Sequence, residues 1–151
     1  MKRLACVTLM LSLAAVGCGK KEPPPPPPTT TTTTTTVPAP VSVSGAALGK
    51  AIGADKKVTA ESDTFGAKDT IYASVDTAGA GHAKVRALWS FVKGTKTAKV
   101  DETTIELFAT GPTTNEFHVS KPSGWPKGDY KVEIFLNEDA SPAVTKTFKV
   151  A

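Results

Sequence analysis

From about residue 45 onward, apolar residues recur at every second position in short runs, and Gly, Asp, Asn and Pro clusters separate the runs. Period two is the spacing of a strand with one buried face, because successive side chains point to opposite sides of a sheet. Ile71, Ala73 and Val75 oppose Tyr72 and Ser74 in a strand expected over Thr70 to Asp76. Val85, Ala87, Trp89 and Phe91 alternate with Lys84, Arg86, Leu88 and Ser90, while Tyr130, Val132, Ile134 and Leu136 alternate with Lys131, Glu133 and Phe135. Further strands are expected over Ala46 to Ile52, over Val100 to Phe108 with Thr103, Ile105 and Leu107 on one face, over Glu116 to Ser120 with Phe117 and Val119 inward, and over Ala143 to Val150. Turns are expected at Gly53 to Lys57, Gly66 to Asp69, Thr77 to Gly81, Lys93 to Lys96, Gly111-Pro112 and Asn137 to Ala140. Val58 to Phe65 reads as a weakly ordered connection. A helical period over Ala46 to Ala54 is the rival reading, and its glycines weaken it.

These elements predict an all-β domain, a single antiparallel sandwich of about seven strands over residues 45–151. Trp89 falls on the third regular strand, and Pro126-Lys127-Gly128-Asp129-Tyr130 leads into the penultimate one. That combination resembles an immunoglobulin-like or fibronectin-type sandwich, which keeps a buried tryptophan on such a strand and a tyrosine corner at such a position. The resemblance implies that the Tyr130 hydroxyl bonds back to nearby backbone. Val75 and Val132 stand where antibody domains carry their disulfide cysteines, so the likeness is one of fold alone. Other sandwich or barrel topologies stay open at this point.

The N-terminal part follows different rules. Met1-Lys2-Arg3 and the apolar run Leu4 to Val16 have the charged and hydrophobic regions of an export signal, and the run is too short to span about 30 Å of hydrocarbon. Ala15-Val16-Gly17-Cys18 resembles the lipobox of bacterial lipoproteins, with Ala15 where leucine is commoner. The resemblance implies a signal peptide over residues 1–17, a diacylglycerol thioether on Cys18 and fatty acylation, such as palmitate, of the new amino group. Cys18 is then a lipid anchor, and Gly19 rather than Asp after it implies the outer membrane in a Gram-negative envelope. Residues 18–44 form the expected linker. Pro23 to Pro28 prefer polyproline II, a stiff spacer of roughly 20 Å, and Thr29 to Thr36 extend it.

Composition narrows the chemistry. Of 151 residues, 18 are Lys or Arg and 14 are Asp or Glu; without Lys2 and Arg3 the balance is 16 to 14, too even to imply nucleic acid. Both cysteines, Cys6 and Cys18, precede the domain, which leaves it no thiol for a disulfide or a metal. His82, expected on a loop, and His118, on an outward face, do not converge with other ligands, and no cofactor is expected. Ser120-Lys121-Pro122-Ser123 reads as a turn, and Asp101 and Glu102 point to opposite faces, so no enzyme is expected.

The candidate interaction patch is Leu88, Val92 and Phe135, predicted to face outward on neighbouring strands, with Trp125 of Ser123-Gly124-Trp125-Pro126 as a second exposed aromatic. The competing reading has Trp125 capping the open end of the core and the patch covered by the N-terminal connection. The leading functional expectation is a membrane-anchored, non-enzymatic module that contacts an envelope protein or polymer. The alternative is a carbohydrate or peptidoglycan binder in which Trp125 and Tyr72 are stacking platforms.

Overall fold

Alternation along the chain resolves into eight strands in two sheets. The structure, a computed structural model, describes residues 38–151; the expected signal peptide, Cys18 and the Pro/Thr segment lie outside them. In chain order the strands are β1 (Ser42–Gly49), β2 (Thr64–Phe65), β3 (Ile71–Ala78), β4 (Gly81–Lys93), β5 (Lys96–Ala109), β6 (Thr113–Val119), β7 (Gly128–Leu136) and β8 (Val144–Val150). One sheet has the order β1-β3-β6 and the other β2-β8-β7-β4-β5. All pairs are antiparallel except the short β2 with β8. Strands one, three and six facing strands eight, seven and four is the layout of an immunoglobulin-like sandwich.

The inward faces are the ones that period two picks out. Ile71, Ala73, Val75 and Thr77 of β3, with Phe117 and Val119 of β6, meet Val85, Ala87 and Trp89 of β4 and Val132 and Ile134 of β7, all essentially without solvent contact. Burial of such side chains contributes about 1.5–3 kcal/mol each for the larger apolar ones, and this is what holds two sheets together without a disulfide. Val75 and Val132 are both fully buried, packing apolar surface at the two positions where antibody domains are cross-linked. An aromatic column closes the core toward β8: Tyr130 stacks on Phe148 at 5.3 Å, and Phe148 meets the edges of Phe65 at 5.5 Å and Trp89 at 6.0 Å. Tyr130 donates its hydroxyl proton to the Pro126 carbonyl at 2.7 Å, forming the tyrosine corner.

Close approach bars a side chain at several glycines, among them Gly79 and Gly128. Gly79 has φ of +95°, and a Cβ there would collide with the carbonyl oxygens of Ala39 and Pro40, so the β3–β4 turn can press against the incoming chain only without a side chain. At Gly128, a Cβ would sit 2.8 Å from the Phe91 ring.

Departures from the expected elements have local causes. The first strand is Ser42–Gly49, not Ala46 to Ile52: it begins in a polar Ser/Gly stretch whose place is set by backbone pairing from Ser42↔Ala78 to Gly49↔Tyr72. Ile52 belongs to a small hairpin, with bridges Gly49↔Glu61 and Ile52↔Val58, whose Lys57 reaches Asp76 at 3.7 Å. The segment expected to be a loose connection therefore doubles back beside β3 and then supplies β2. Thr77 to Gly81 is mostly strand, with Thr77 buried and bonded to the Thr113 carbonyl at 3.1 Å. β4 and β5 each run past their expected limits, because the polar residues of their shared hairpin lie in solvent on both faces and carry no period-two signal.

Candidate functional site

The β4–β5 hairpin creates the surface with most to offer a partner. β5 is fourteen residues long and ends the five-stranded sheet, so one of its edges bonds β4 while the other has no strand beside it among the described residues. An unpaired edge presents a row of backbone donors and acceptors, the template for adding a further strand. Thr97, Val100, Thr103, Thr104 and Ile105 keep this edge extended by β-branching. A shift in register beside Trp89 and Ser90 leaves Val100 unpaired as a bulge and divides the edge into two segments.

The second segment ends in an aromatic platform. Phe108 is 79% exposed and stacks on His82 with ring centroids 4.7 Å apart. His82 lies on β4 rather than in a loop, directly opposite Phe108. Beside them, where β5 parts from β6, an open cleft of about 590 Å³ is lined by Ile105, Leu107, Phe108, Pro112, Asn115 and Glu116. Phe108 was not among the expected site residues, yet its signal was present: if Leu107 points inward, its neighbour must point out.

The structure brings three of the four expected patch residues to one face and removes the fourth. Leu88, Val92 and Phe135 all lie on the outer face of the five-stranded sheet, with Leu88 opposite Glu133 and Phe135 opposite Arg86. They do not form a continuous apolar surface. The Arg86 guanidinium covers the Phe135 ring at 4.2 Å and leaves it 7% exposed, while Leu88 and Val92 are half-buried. Charged pairs run between them: Arg86 with Glu102 at 3.9 Å, Lys99 with Glu102 at 3.2 Å and Lys131 with Glu133 at 2.9 Å.

Trp125 is a correction. It is 4% exposed, set edge-on to Tyr130 at 5.5 Å, with its indole N–H donating to the Asp69 carbonyl at 2.9 Å. The bulky ring fills the open end of the core while its one polar atom is satisfied by backbone, so it is neither part of the patch nor a stacking platform. Asp69 itself is fixed by Lys50 Nζ at 2.8 Å and by the Gly66 N–H at 2.8 Å, both on Oδ2. The Lys50 hydrogen bond first, then that of Gly66, holds its carboxyl below the ordinary 3.8.

The histidines stay apart, on the outer faces of different sheets. The exposed His118 contacts the half-buried Glu116 at 2.9 Å and lies 5.6 Å from the half-buried Tyr72 ring. Among the described residues no group of three His, Cys, Asp or Glu side chains is arranged to hold a metal ion.

No family model matches the chain, and no curated protein matches it. Solved structures do. A β-glucosidase from Erythrobacter marinus aligns over 74% of this chain and 15% of its own, at 8% identity and a TM-score of 0.52. An immunoglobulin-like protein from Pseudomonas aeruginosa aligns over 75% of this chain and 98% of its own, at 14% identity and a TM-score of 0.47. A β-D-glucoside glucohydrolase from Trichoderma reesei aligns over 74% of this chain and 19% of its own, at 15% identity and a TM-score of 0.45. This chain thus spans less than a fifth of the two hydrolases, and the likeness to the Erythrobacter marinus protein is one of fold alone.

Proposed function

We propose that this protein is a lipid-anchored lipoprotein of the bacterial envelope, and that its sandwich is a non-enzymatic module recognising an envelope protein by strand addition at β5. The observation that carries the second half is the fourteen-residue edge of β5, unpaired among the described residues, with the exposed Phe108 near its end. Main-chain bonding along such an edge supplies affinity, and Phe108 with the adjoining cleft supplies a side-chain pocket. Lys99, Asp101, Glu102 and Glu106 along the strand oppose indiscriminate pairing, which suits an edge kept for a chosen partner. The first half rests on the Ala15-Val16-Gly17-Cys18 sequence, with acyl chains on Cys18 as the anchor, the Pro/Thr segment as the spacer and the outer membrane as the destination. Each buried methylene contributes about 0.8 kcal/mol, so two or three long chains hold a protein at a bilayer durably.

Photo-crosslinking in cells tests the edge. A photoreactive residue at Thr104 or Phe108 is expected to capture one shared partner, identified by mass spectrometry, and the same residue at Thr147 on β8 is expected not to. Equal capture from both sides, or none from the edge, overturns this reading. Cys18→Ala is expected to abolish signal processing and membrane partition; unchanged partition refutes the anchor.

A further inference from the structure

We propose that the end of the sandwich farthest from where the chain joins it is a docking surface for an acidic polysaccharide. The inference goes beyond the edge-strand reading and does not depend on it. It rests on how lysines divide between the strand faces and the two ends.

Pro38 to Val41 lead into β1 at one end, where the Ala39 carbonyl accepts the Ala80 N–H at 2.9 Å. The connections at that end, residues 79–80, 110–112 and 137–143, contain no lysine or arginine and two acids, Glu138 and Asp139. The turn at Ala54 to Lys57 adds Lys56 and Lys57 there, beside Asp55 and with Lys57 paired to Asp76. At the opposite end, the segments 66–70, 93–96 and 120–127 carry Lys68, Lys93, Lys96, Lys121 and Lys127, all exposed, against one acid, Asp69. These segments are joined to one another. Trp125 donates its backbone N–H to the Ala67 carbonyl at 2.7 Å, Lys68 reaches the Pro122 carbonyl at 2.8 Å, and Val92 pairs with Asp129, which sets Lys93 near Lys127.

Pairing separates these lysines from most others. Lys50, Lys57, Lys84, Lys99, Lys131 and Lys149 each have a carboxylate partner within 4 Å. Among the described residues none of Lys68, Lys93, Lys96, Lys121 and Lys127 has one. Of the carboxylates at that end, Asp69 pairs with Lys50 and Asp129 with Lys149 at 3.8 Å, Asp101 is half-buried, and the exposed Glu61 and Asp63 lie where the chain runs into β2, beside Lys146 and Thr147. Over these three segments lysine therefore outnumbers carboxylate five to one.

The partner's chemistry follows from what the cations are. Lysine is a hydrated point charge without the fork that reads single carboxylates or phosphates, so five of them spread over three connections suit a polymer of repeating negative charge. A bilayer is the less fitting polyanion. The patch itself adds no apolar side chain for a bilayer to take up, since Trp125 is buried and the exposed Phe108 lies at the other end.

Retention of the full-length chain, in non-ionic detergent, on immobilised polygalacturonate tests this, with neutral dextran as the blank. Retention is expected to fall as salt rises. Lys121→Glu/Lys127→Glu is expected to weaken binding about tenfold at low salt, whereas Lys56→Glu/Lys146→Glu, an equal change in net charge elsewhere, is expected to leave it unaltered. Equal loss in both variants reduces the effect to net charge and overturns the proposal, as does no loss in either. Cosedimentation after detergent removal that is stronger with phosphatidylglycerol than with phosphatidylcholine vesicles and is lost in Lys121→Glu/Lys127→Glu, without retention on polygalacturonate, overturns it in favour of a membrane surface.

Discussion

Replacing Tyr130 with Phe separates one hydrogen bond from the ring that carries it. The hydroxyl donates to the Pro126 carbonyl at 2.7 Å, while the ring stacks on Phe148 at 5.3 Å and meets Trp125 at 5.5 Å. Phe keeps the ring contacts, so the loss is that of the bond, about 1 kcal/mol net, with the exposed Pro126 free to offer its carbonyl to water. A loss of that size lowers Tm by roughly 4–8 °C in a domain of this length. Tyr130→Ala also leaves a void between Trp125 and Phe148 and is expected to cost about 3–5 kcal/mol. Urea unfolding followed by tryptophan fluorescence reads both variants. Phe within about 0.3 kcal/mol of the parent, or as unstable as Ala, refutes the division between bond and ring. The same substitution has a pH signature. Burial raises the Tyr130 phenol above its ordinary 10.0, so the folded form holds its proton while the unfolded chain releases it. The resulting stability is complete below about pH 10 and declines as pH rises through the folded value. The advantage of the parent over the Phe variant is expected to shrink there, and a constant difference to pH 11 refutes it.

Two further substitutions probe the fold at defined points. Gly79→Ala must place a Cβ against the Ala39 and Pro40 carbonyls at φ +95°, and is expected to cost more than Gly94→Ala, whose Cβ meets nothing within 4 Å. About 1–2 kcal/mol of backbone strain is expected at Gly94, with a further loss of the Ala80–Ala39 bond at Gly79; equal urea midpoints refute the contact. Asp69→Asn removes a carboxylate whose lowered value stabilises the fold above the unfolded 3.8 and ceases to as pH falls through the folded value. Its plot of stability against pH is expected to be flatter than the parent's below pH 4, and superimposable acid limbs refute the pairing.

Much of the architecture was legible wherever one face of a strand is dry. Val85, Ala87 and Trp89, like Tyr130, Val132 and Ile134, alternate because the sandwich interior lies on one side only, and the tyrosine corner was readable from the spacing of Gly128 and Tyr130. Where both faces are wet, the signal vanishes. Ser42 to Gly45 and Lys96 to Lys99 are strand by backbone pairing alone, which no side-chain pattern records. Phe135 was correctly placed on the outer face but misjudged as exposed, because the cover comes from Arg86 on the neighbouring strand. Trp125 sits in an irregular loop where periodicity is silent, and its burial follows from a carbonyl of Asp69, far away in sequence.

The direction of β1 decides how the domain bears load. Tension arriving through Pro38, with the opposite end held, pulls Ser42 along the strand axis. Every rung from Ser42↔Ala78 to Gly49↔Tyr72 is then strained together in shear, and none is peeled singly as in an unzipping hairpin. A module gripped by its far end thus resists extraction with the summed strength of its first strand, and yields only when all of those bonds fail at once.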